Sequence, residues 1–403
     1  MRFSLTQCAL AGGFILATSV SALAADNLQR ARELTANYLL VDTHIDVPYR
    51  LHDHWEDVTQ ATEKGEFDYP RAVAGGLNLP FMSIYTPPSA ELDGSAYNLA
   101  NNLIDQVEAI VARAPDKFGI AATPAEAEQQ VAAGKIAMAL GMENGAPIAG
   151  DLDKLRHFRK RGVSYITLAH GLSNHISDSS YDDIRFWNGL SPFGAELVQA
   201  MNRLGVMVDI SHLSDAAAAQ AIALSTVPVI ASHSSMRKFT PDFERNLDDK
   251  LTKALAERDG VVLINFGSSF ITREANAYFK TYGEAADAYA ERYGVDEHAS
   301  EMEAFEADYR SKQAFPFATV SDVADHIDHV VKIAGIDHVG LGSDFDGVGD
   351  SLPVGLKDVS TYPNLVAELL DRRYSEADIE KLLGGNLMRV WEAVVAGATA
   401  PVN

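Results

Sequence analysis

Short apolar runs rich in Val, Ile and Leu recur along the chain, separated by segments whose apolar residues follow a helical period. The runs fall at 38–46, 77–85, 136–143, 163–170, 206–212, 227–233, 261–266 and 338–344, and helical periodicity marks 97–113, 152–161, 192–204, 215–224 and 321–334. Strands covered on both faces read as continuous apolar stretches, so this alternation predicts a parallel sheet with helices on its outside. About eight such units predict an α/β fold of the (β/α)8 TIM-barrel type. After the seventh run, residues 272–313 are rich in Ala, Glu and Tyr at helical spacing. They predict a helical insertion above the barrel mouth, read as a lid, a dimer contact or a solvated excursion. No Gly-x-Gly-x-x-Gly follows the first run, and no repeat or Pro- or Ser-rich linker divides residues 25–403, which are read as one catalytic domain.

The ends of the runs carry ionisable residues. His44 and Asp46 close the first, Glu143 the third, His170 the fourth, His212 the fifth, His233 the sixth and Asp344 the eighth. In a barrel all these positions fall on the C-terminal face, where active sites of this fold are built. His44 and Asp46 are two apart, so on an extended strand they point to the same side. Each residue has an ordinary reading alone: a surface pair for His44 and Asp46, a turn carboxylate for Glu143, satisfied core histidines for His212 and His233. Together they predict a metal centre, because burying several ionisable groups without partners costs several kcal/mol.

Other patterns carry less. His326 and His329 lie three apart on a predicted helix without another ligand type, which suits a surface or packing role. Asp344-Phe345-Asp346-Gly347 lacks the later acidic positions of a calcium loop. Ser232 and Ser234 flank His233, and alternation along a strand makes them poor partners for it as a nucleophile–base pair. His-Glu-x-x-His, Gly-x-Ser-x-Gly and the Walker loop are absent.

Composition narrows the chemistry. Arg2, the apolar stretch from Cys8 to Val20 and Ala22-Leu23-Ala24 read as a signal peptide over residues 1–24. The single cysteine, Cys8, would leave with it, so disulfides, thiolate zinc sites and a cysteine nucleophile are excluded from the mature chain. Any metal must then be held by nitrogen and oxygen, which suits zinc or manganese. Lys and Arg number 33 against 56 Asp and Glu, a formal charge of -23 that opposes nucleic acid and anionic membranes. The end at Thr399–Asn403 carries no hydrophobic tail, so no membrane anchor is expected. A periplasmic or secreted protein is the expectation.

From about Val41 to Trp391 the chain resembles the membrane dipeptidase (renal dipeptidase) family, a branch of the metal-dependent amidohydrolase barrels. The stretches that carry the resemblance are Asp42-Thr43-His44-Ile45-Asp46, Gly141-Met142-Glu143-Asn144-Gly145, Gly189-Leu190-Ser191-Pro192-Phe193-Gly194, Val208-Asp209-Ile210-Ser211-His212 and Ser232-His233-Ser234-Ser235. Gly340 to Gly347 and Gly384-Gly385-Asn386 add to them. The resemblance implies two Zn2+ ions per chain, one on His44 and Asp46, the other on His212 and His233, with Glu143 bridging both. It implies hydrolysis of dipeptides by a hydroxide held between the metals, with Asp344 as acid/base and His170 polarising the carbonyl or stabilising the oxyanion. Arg245 matches the position that holds the substrate's free carboxylate. D-residues at the carboxyl end and β-lactam amides are substrates of relatives, and a homodimer is a further expectation. The chain departs at Gly267, which follows Asn265-Phe266 where relatives often carry an aromatic residue. Two other readings keep parts of this picture: a binuclear amidohydrolase acting on another small amide or ester, and an inactive periplasmic binding protein. The intact ligand set and Asp344 speak against the latter.

Overall fold

Among the described residues nine strands form: β1 (Leu40–Ile45), β2 (Leu77–Tyr85), β3 (Phe118–Ile120), β4 (Ile136–Glu143), β5 (Val163–Thr167), β6 (Met207–Asp209), β7 (Ile230–Ala231), β8 (Val261–Ile264) and β9 (Val339–Leu341). This computed structural model describes residues 26–295 and 299–400, so the segment read as a signal peptide lies outside the described residues. All pairings between named strands are parallel, in the order β1-β2-β4-β5-β6-β7-β8-β9. The ring closes where Asp344 N donates to His44 O (3.0 Å) and Asp46 N to Phe345 O (2.9 Å). The eight barrel strands coincide with the predicted apolar runs. β3 was not predicted; it is three residues long and pairs only with β4, outside the ring.

Alternation along β4 shows how the interior is filled. Ile136, Met138, Leu140 and Met142 pack outward against the helices. Ala137 and Ala139 belong instead to the inner cluster with Phe81, Tyr165, Met207 and Trp391. Gly141 and Glu143 continue that inward row at period two. The small residues leave room for large ones from other strands: a Cβ on Gly141 would lie 1.9 Å from the Tyr165 ring. Trp391, from the C-terminal helix Asn386–Ala396, plugs the barrel floor against Phe81 at a ring distance of 5.2 Å. Above this plug comes a polar layer of Thr43, the Tyr165 hydroxyl, Thr167 and Asp209, while polar ties also form on the outer side of β1. Asp42 accepts from His44 N and Ser343 N at 3.1 and 3.0 Å and from the Tyr362 hydroxyl at 2.5 Å, tying β1 to the chain after β9.

The surrounding helices carry the expected end signals. Ser191 caps Pro192–Leu204 by accepting from Gly194 N, proline stands in the first turn, and Gly205 ends it in left-handed geometry. The predicted insertion folds as two helices, Arg273–Tyr293 and Ser300–Lys312, the first capped by Thr272. Tyr278, Phe279 and Tyr282 of the first and Arg310 of the second line the cavity over the barrel mouth.

His326 and His329 are both buried, which corrects the surface half of their reading. His326, on the helix Val320–Ala334, accepts from Met236 N at Nδ1 (2.9 Å) and meets Ile271 O through Nε2 (2.9 Å). It joins the loop after β7 to the foot of the insertion as a neutral ring, and burial pushes its pKa down to about 4. Since the folded value lies below the ordinary 6.5, the unfolded chain binds more protons between these limits. Stability from this group is therefore full above about pH 6.5 and lost as pH falls toward 4, on the order of 3 kcal/mol in all. We expect His326→Gln to be less stable than wild type at pH 7.5 and the gap to shrink by pH 4.5. Urea midpoints at both pH values check this, and a gap independent of pH would refute it.

Candidate metal centre

Glu143 ends the inward row of β4 and stands 4% exposed at the centre of the strand-end ring. Its two oxygens face different partners. Oε2 lies 3.4 Å from His44 Nε2, which is itself 3.4 Å from Asp46 Oδ2. Oε1 lies 3.0 Å from His212 Nε2, 3.2 Å from His233 Nε2 and 3.5 Å from His170 Nε2. Asp344 shares a cluster with His44 and Asp46 in which the potential ligand atoms lie within 4.8 Å of one another. The structure thus brings together every residue predicted from the run ends.

Some arrive by a different route from the one expected. Asp46 is not on an extended strand: β1 stops at Ile45, and Asp46 precedes the helix Val47–Asp53 with φ -88° and ψ 25°. It converges on His44 because its backbone is pinned to Phe345. His170 lies three residues beyond β5, His212 three beyond β6 and Asp344 three beyond β9. His212 and Asp344 have left-handed backbones, with φ of 68° and 66°. Such conformations typically cost 1–3 kcal/mol and are held only where the surroundings fix them.

Two imidazoles have their tautomers set by neighbours. The Tyr165 hydroxyl donates to Thr43 O (2.9 Å), so it accepts from His44 Nδ1 (2.8 Å), which leaves Nε2 as the nitrogen turned to the site, a lone pair whenever the ring is neutral. That atom is buried with no hydrogen-bond partner. The Ser232 hydroxyl donates to Asp209 Oδ2 (2.6 Å) and accepts from His233 Nδ1 (2.7 Å), which likewise frees His233 Nε2. Asp209 also accepts from Thr167 Oγ1, Ser211 N and Ser232 N. Here the strand-alternation reading of Ser232 fails geometrically, because β7 ends at Ala231 and the next residues leave the pleat. Ser232 is still no nucleophile, since it is fully buried and its proton is committed to Asp209. Tyr165, Asp209 and Ser232 were missed as site residues. The available signal was a carboxylate inside the apolar run Val206 to Ile210, which burial obliges to find donors.

The electrostatics call for positive charge. Burial alone would push Glu143 up, yet His44 and His170, helped by His212 and His233, hold it well below the usual carboxylate range. Burial works against charge on His44 too, but Tyr165, Glu143 and Asp46 carry its pKa well above 6.5. His212 and His233 are pushed well below 6.5, first by burial and then by the nearby cations Arg245 and His44 respectively. Burial, then the charges of Asp46 and Glu143, push Asp344 up to about 7 against the opposing pull of His44. Asn265 Nδ2 donates to Asp344 Oδ2 at 2.6 Å, and Gly267 N fixes the other end of that amide at 2.7 Å. Nitrogen and oxygen donors about 2.0–2.1 Å from a tetrahedral ion lie roughly 3.3–3.4 Å apart, so separations of 3.0 to 3.4 Å around the Glu143 oxygens fit a metal.

Arg245 lies beside this cluster, 2% exposed, donating to Ser234 Oγ and His233 O at 2.9 Å. Its guanidinium lies over the Phe270 ring at 5.3 Å. A Cβ on Gly267 would meet Phe270 and Val348 at 2.9 Å, so no larger side chain fits at this place, and the ring there is that of Phe270. The cavity above the cluster encloses about 940 Å³.

Comparison with known proteins decides what this centre belongs to. Residues 28–400 match the family model of the membrane dipeptidases, peptidase family M19. The dipeptidase verJ of Clonostachys rogersoniana is 32% identical over 93% of this chain and 89% of its own length. The chain belongs to the M19 membrane dipeptidase family. It is a metallo-dipeptidase, a hydrolase. Among solved structures, the probable dipeptidase PvdM of Pseudomonas aeruginosa superposes with a TM-score of 0.79 at 30% identity, covering 93% of this chain and all of its own. A Rhodobacter sphaeroides metallo peptidase, solved with a phosphinate mimic of the dipeptide L-Ala-D-Ala, gives 0.73 at 25% identity, covering 89% of this chain and 99% of its own. Among the described residues of this M19 dipeptidase, no helix is long and apolar enough to cross a membrane.

The tautomer locks carry a measurable consequence for the metal centre. Tyr165→Phe keeps the ring in the barrel and removes the acceptor for His44 Nδ1 together with the donor to Thr43 O, and Ser232→Ala removes the acceptor for His233 Nδ1 together with a donor to Asp209. Each should weaken metal binding roughly 10- to 100-fold with the fold retained. Competition against a chelator of known affinity measures it; unchanged affinity in both variants would show that the rings need no such support.

Proposed function

We propose that this dipeptidase works with two zinc ions, His44 and Asp46 holding one, His212 and His233 the other, and Glu143 shared between them. The observation that carries the reading is the division of Glu143, with one oxygen turned to each set of ligands. Zinc held there would lower the pKa of water from 15.7 to roughly 7 and would polarise a carbonyl oxygen. The chain's own residues do the rest. Asp344 takes the proton of the attacking water and returns one to the leaving amine, with Asn265 holding its Oδ2 so that Oδ1 faces the site. His170, whose side chain keeps 23% exposure toward the cavity, donates to the carbonyl oxygen as negative charge develops on it. Arg245 receives the free carboxylate, a match of planar fork to planar anion made strong by burial.

The same reading extends to substrates. The L-Ala-D-Ala mimic bound by the Rhodobacter sphaeroides relative supports dipeptides with a D-residue at the carboxyl end. β-Lactam amides present a related bond and belong to the same proposal. Export through residues 1–24 also belongs to it, supported by their charge and apolar pattern.

Elemental analysis of the purified enzyme should find two zinc ions per chain, and chelation should abolish hydrolysis of L-Ala-D-Ala. Glu143→Gln should weaken both ions, whereas His212→Ala should weaken one; loss of a single ion in Glu143→Gln would remove the bridging role. Asp344→Asn should keep both metals and lose roughly 10²- to 10⁴-fold in kcat. Near-normal turnover in that variant would rule out Asp344 as acid/base.

A further inference from the structure

The helical arm at 272–313 contributes almost nothing to the core. In Arg273–Tyr293 only Ala275 is buried, and Ser300–Lys312 buries no residue. The two helices are held to each other by an aromatic seam, with Tyr289 on Phe305 at 4.6 Å and Tyr282 on Tyr309 at 5.4 Å. Arg310 fastens the arm to the loop after β9 through Asp350, at 3.2 Å. Yet this arm gives Tyr278, Phe279 and Tyr282 to the cavity wall over the metal centre. Tyr278 and Tyr282 also belong to the seam; Phe279 does not, and it stands 54% exposed. An aromatic wall with little role in the fold, lining a cavity of about 940 Å³, is accounted for by what enters that cavity. Two small residues would leave most of it empty.

Which end of the substrate meets the wall follows from depth. Arg245, the carboxylate anchor of the proposed function, is buried beside His212 and His233, behind the residues that line the cavity. The carboxyl end of a dipeptide is then its deep end, and the amino-terminal residue points toward the mouth. The charges there agree. Arg50 is held by Glu56 and Asp346, and Arg310 by Glu306 and Asp350, while Asp53 adds a further carboxylate. Such a mouth favours an ammonium group.

We propose that Tyr278, Phe279 and Tyr282 form the subsite for the side chain of the substrate's amino-terminal residue, and that this subsite takes large apolar or aromatic side chains. The proposal rests on the dipeptidase reading with Arg245 as the carboxylate anchor. The test uses the metal-loaded enzyme and Phe279→Ala with Ala-Ala, Phe-Ala and Ala-Phe as substrates. Wild type should favour Phe-Ala over Ala-Ala. In Phe279→Ala the ratio of kcat/KM for Phe-Ala to that for Ala-Ala should fall about tenfold, chiefly through KM. The ratio for Ala-Phe to Ala-Ala should hold, and Phe279→Leu should restore most of the preference. An unchanged Phe-Ala ratio, or an equal loss for Ala-Phe, overturns the subsite. Failure of wild type to hydrolyse any of the three overturns the underlying reading instead, so the two failures are told apart.

Discussion

The structure depends on one buried carboxylate. Glu143 ends a row of small inward residues and is nearly buried at the foot of the cavity, so its charge must be met chiefly from within the barrel. The chain meets it chiefly with imidazoles, from His44, His170, His212 and His233. Imidazoles differ from lysine or arginine in being able to give up the proton and offer a lone pair. The arrangement is therefore balanced either by protons, as the raised pKa of His44 indicates, or by a divalent cation in their place. A lone buried charge would be a defect; surrounded in this way it becomes the reason for a metal centre.

Holding that centre engages the barrel interior below it. The hydrophobic plug of Phe81, Tyr165 and Trp391 is continuous with a polar layer of Thr43, the Tyr165 hydroxyl, Thr167 and Asp209. Tyr165 belongs to both, its ring filling the space Gly141 leaves and its hydroxyl setting the proton on His44. Packing and ligand chemistry are consequently not separable here. A methyl group on Gly141 would strike the Tyr165 ring and move the acceptor that orients a ligand two strands away. The left-handed backbones of His212 and Asp344 express the same dependence, since strained conformations persist only where surrounding contacts hold them.

Much of this was legible in the chain itself. Continuous apolar runs gave the eight barrel strands, because a strand buried on both faces needs no polar alternation, and the ionisable residues at their ends marked one face of the ring. What period and spacing could not convey was everything set by the third dimension. Asp46 reaches His44 from a helix start rather than a strand, a difference no i, i+2 spacing reveals. Ser232 reaches His233 because β7 ends two residues before the end of the predicted run. Tyr165 looked like one more core aromatic, since only its approach to a residue 121 positions away gives its hydroxyl a task.

Reaction and selectivity are built from different material. The groups around Glu143 come from strand ends and short turns whose backbones the barrel fixes, which suits atoms that must be held to fractions of an ångström. The walls above come from longer excursions. At Gly267 the space a side chain would take is filled by Phe270 and Val348, and the Phe270 ring lies over Arg245. The arm goes further, adding an aromatic surface that the core does not require. Segments that contribute little to folding can change sequence at small cost in stability, so the substrate-facing surface can vary while the metal ligands stay where the barrel puts them.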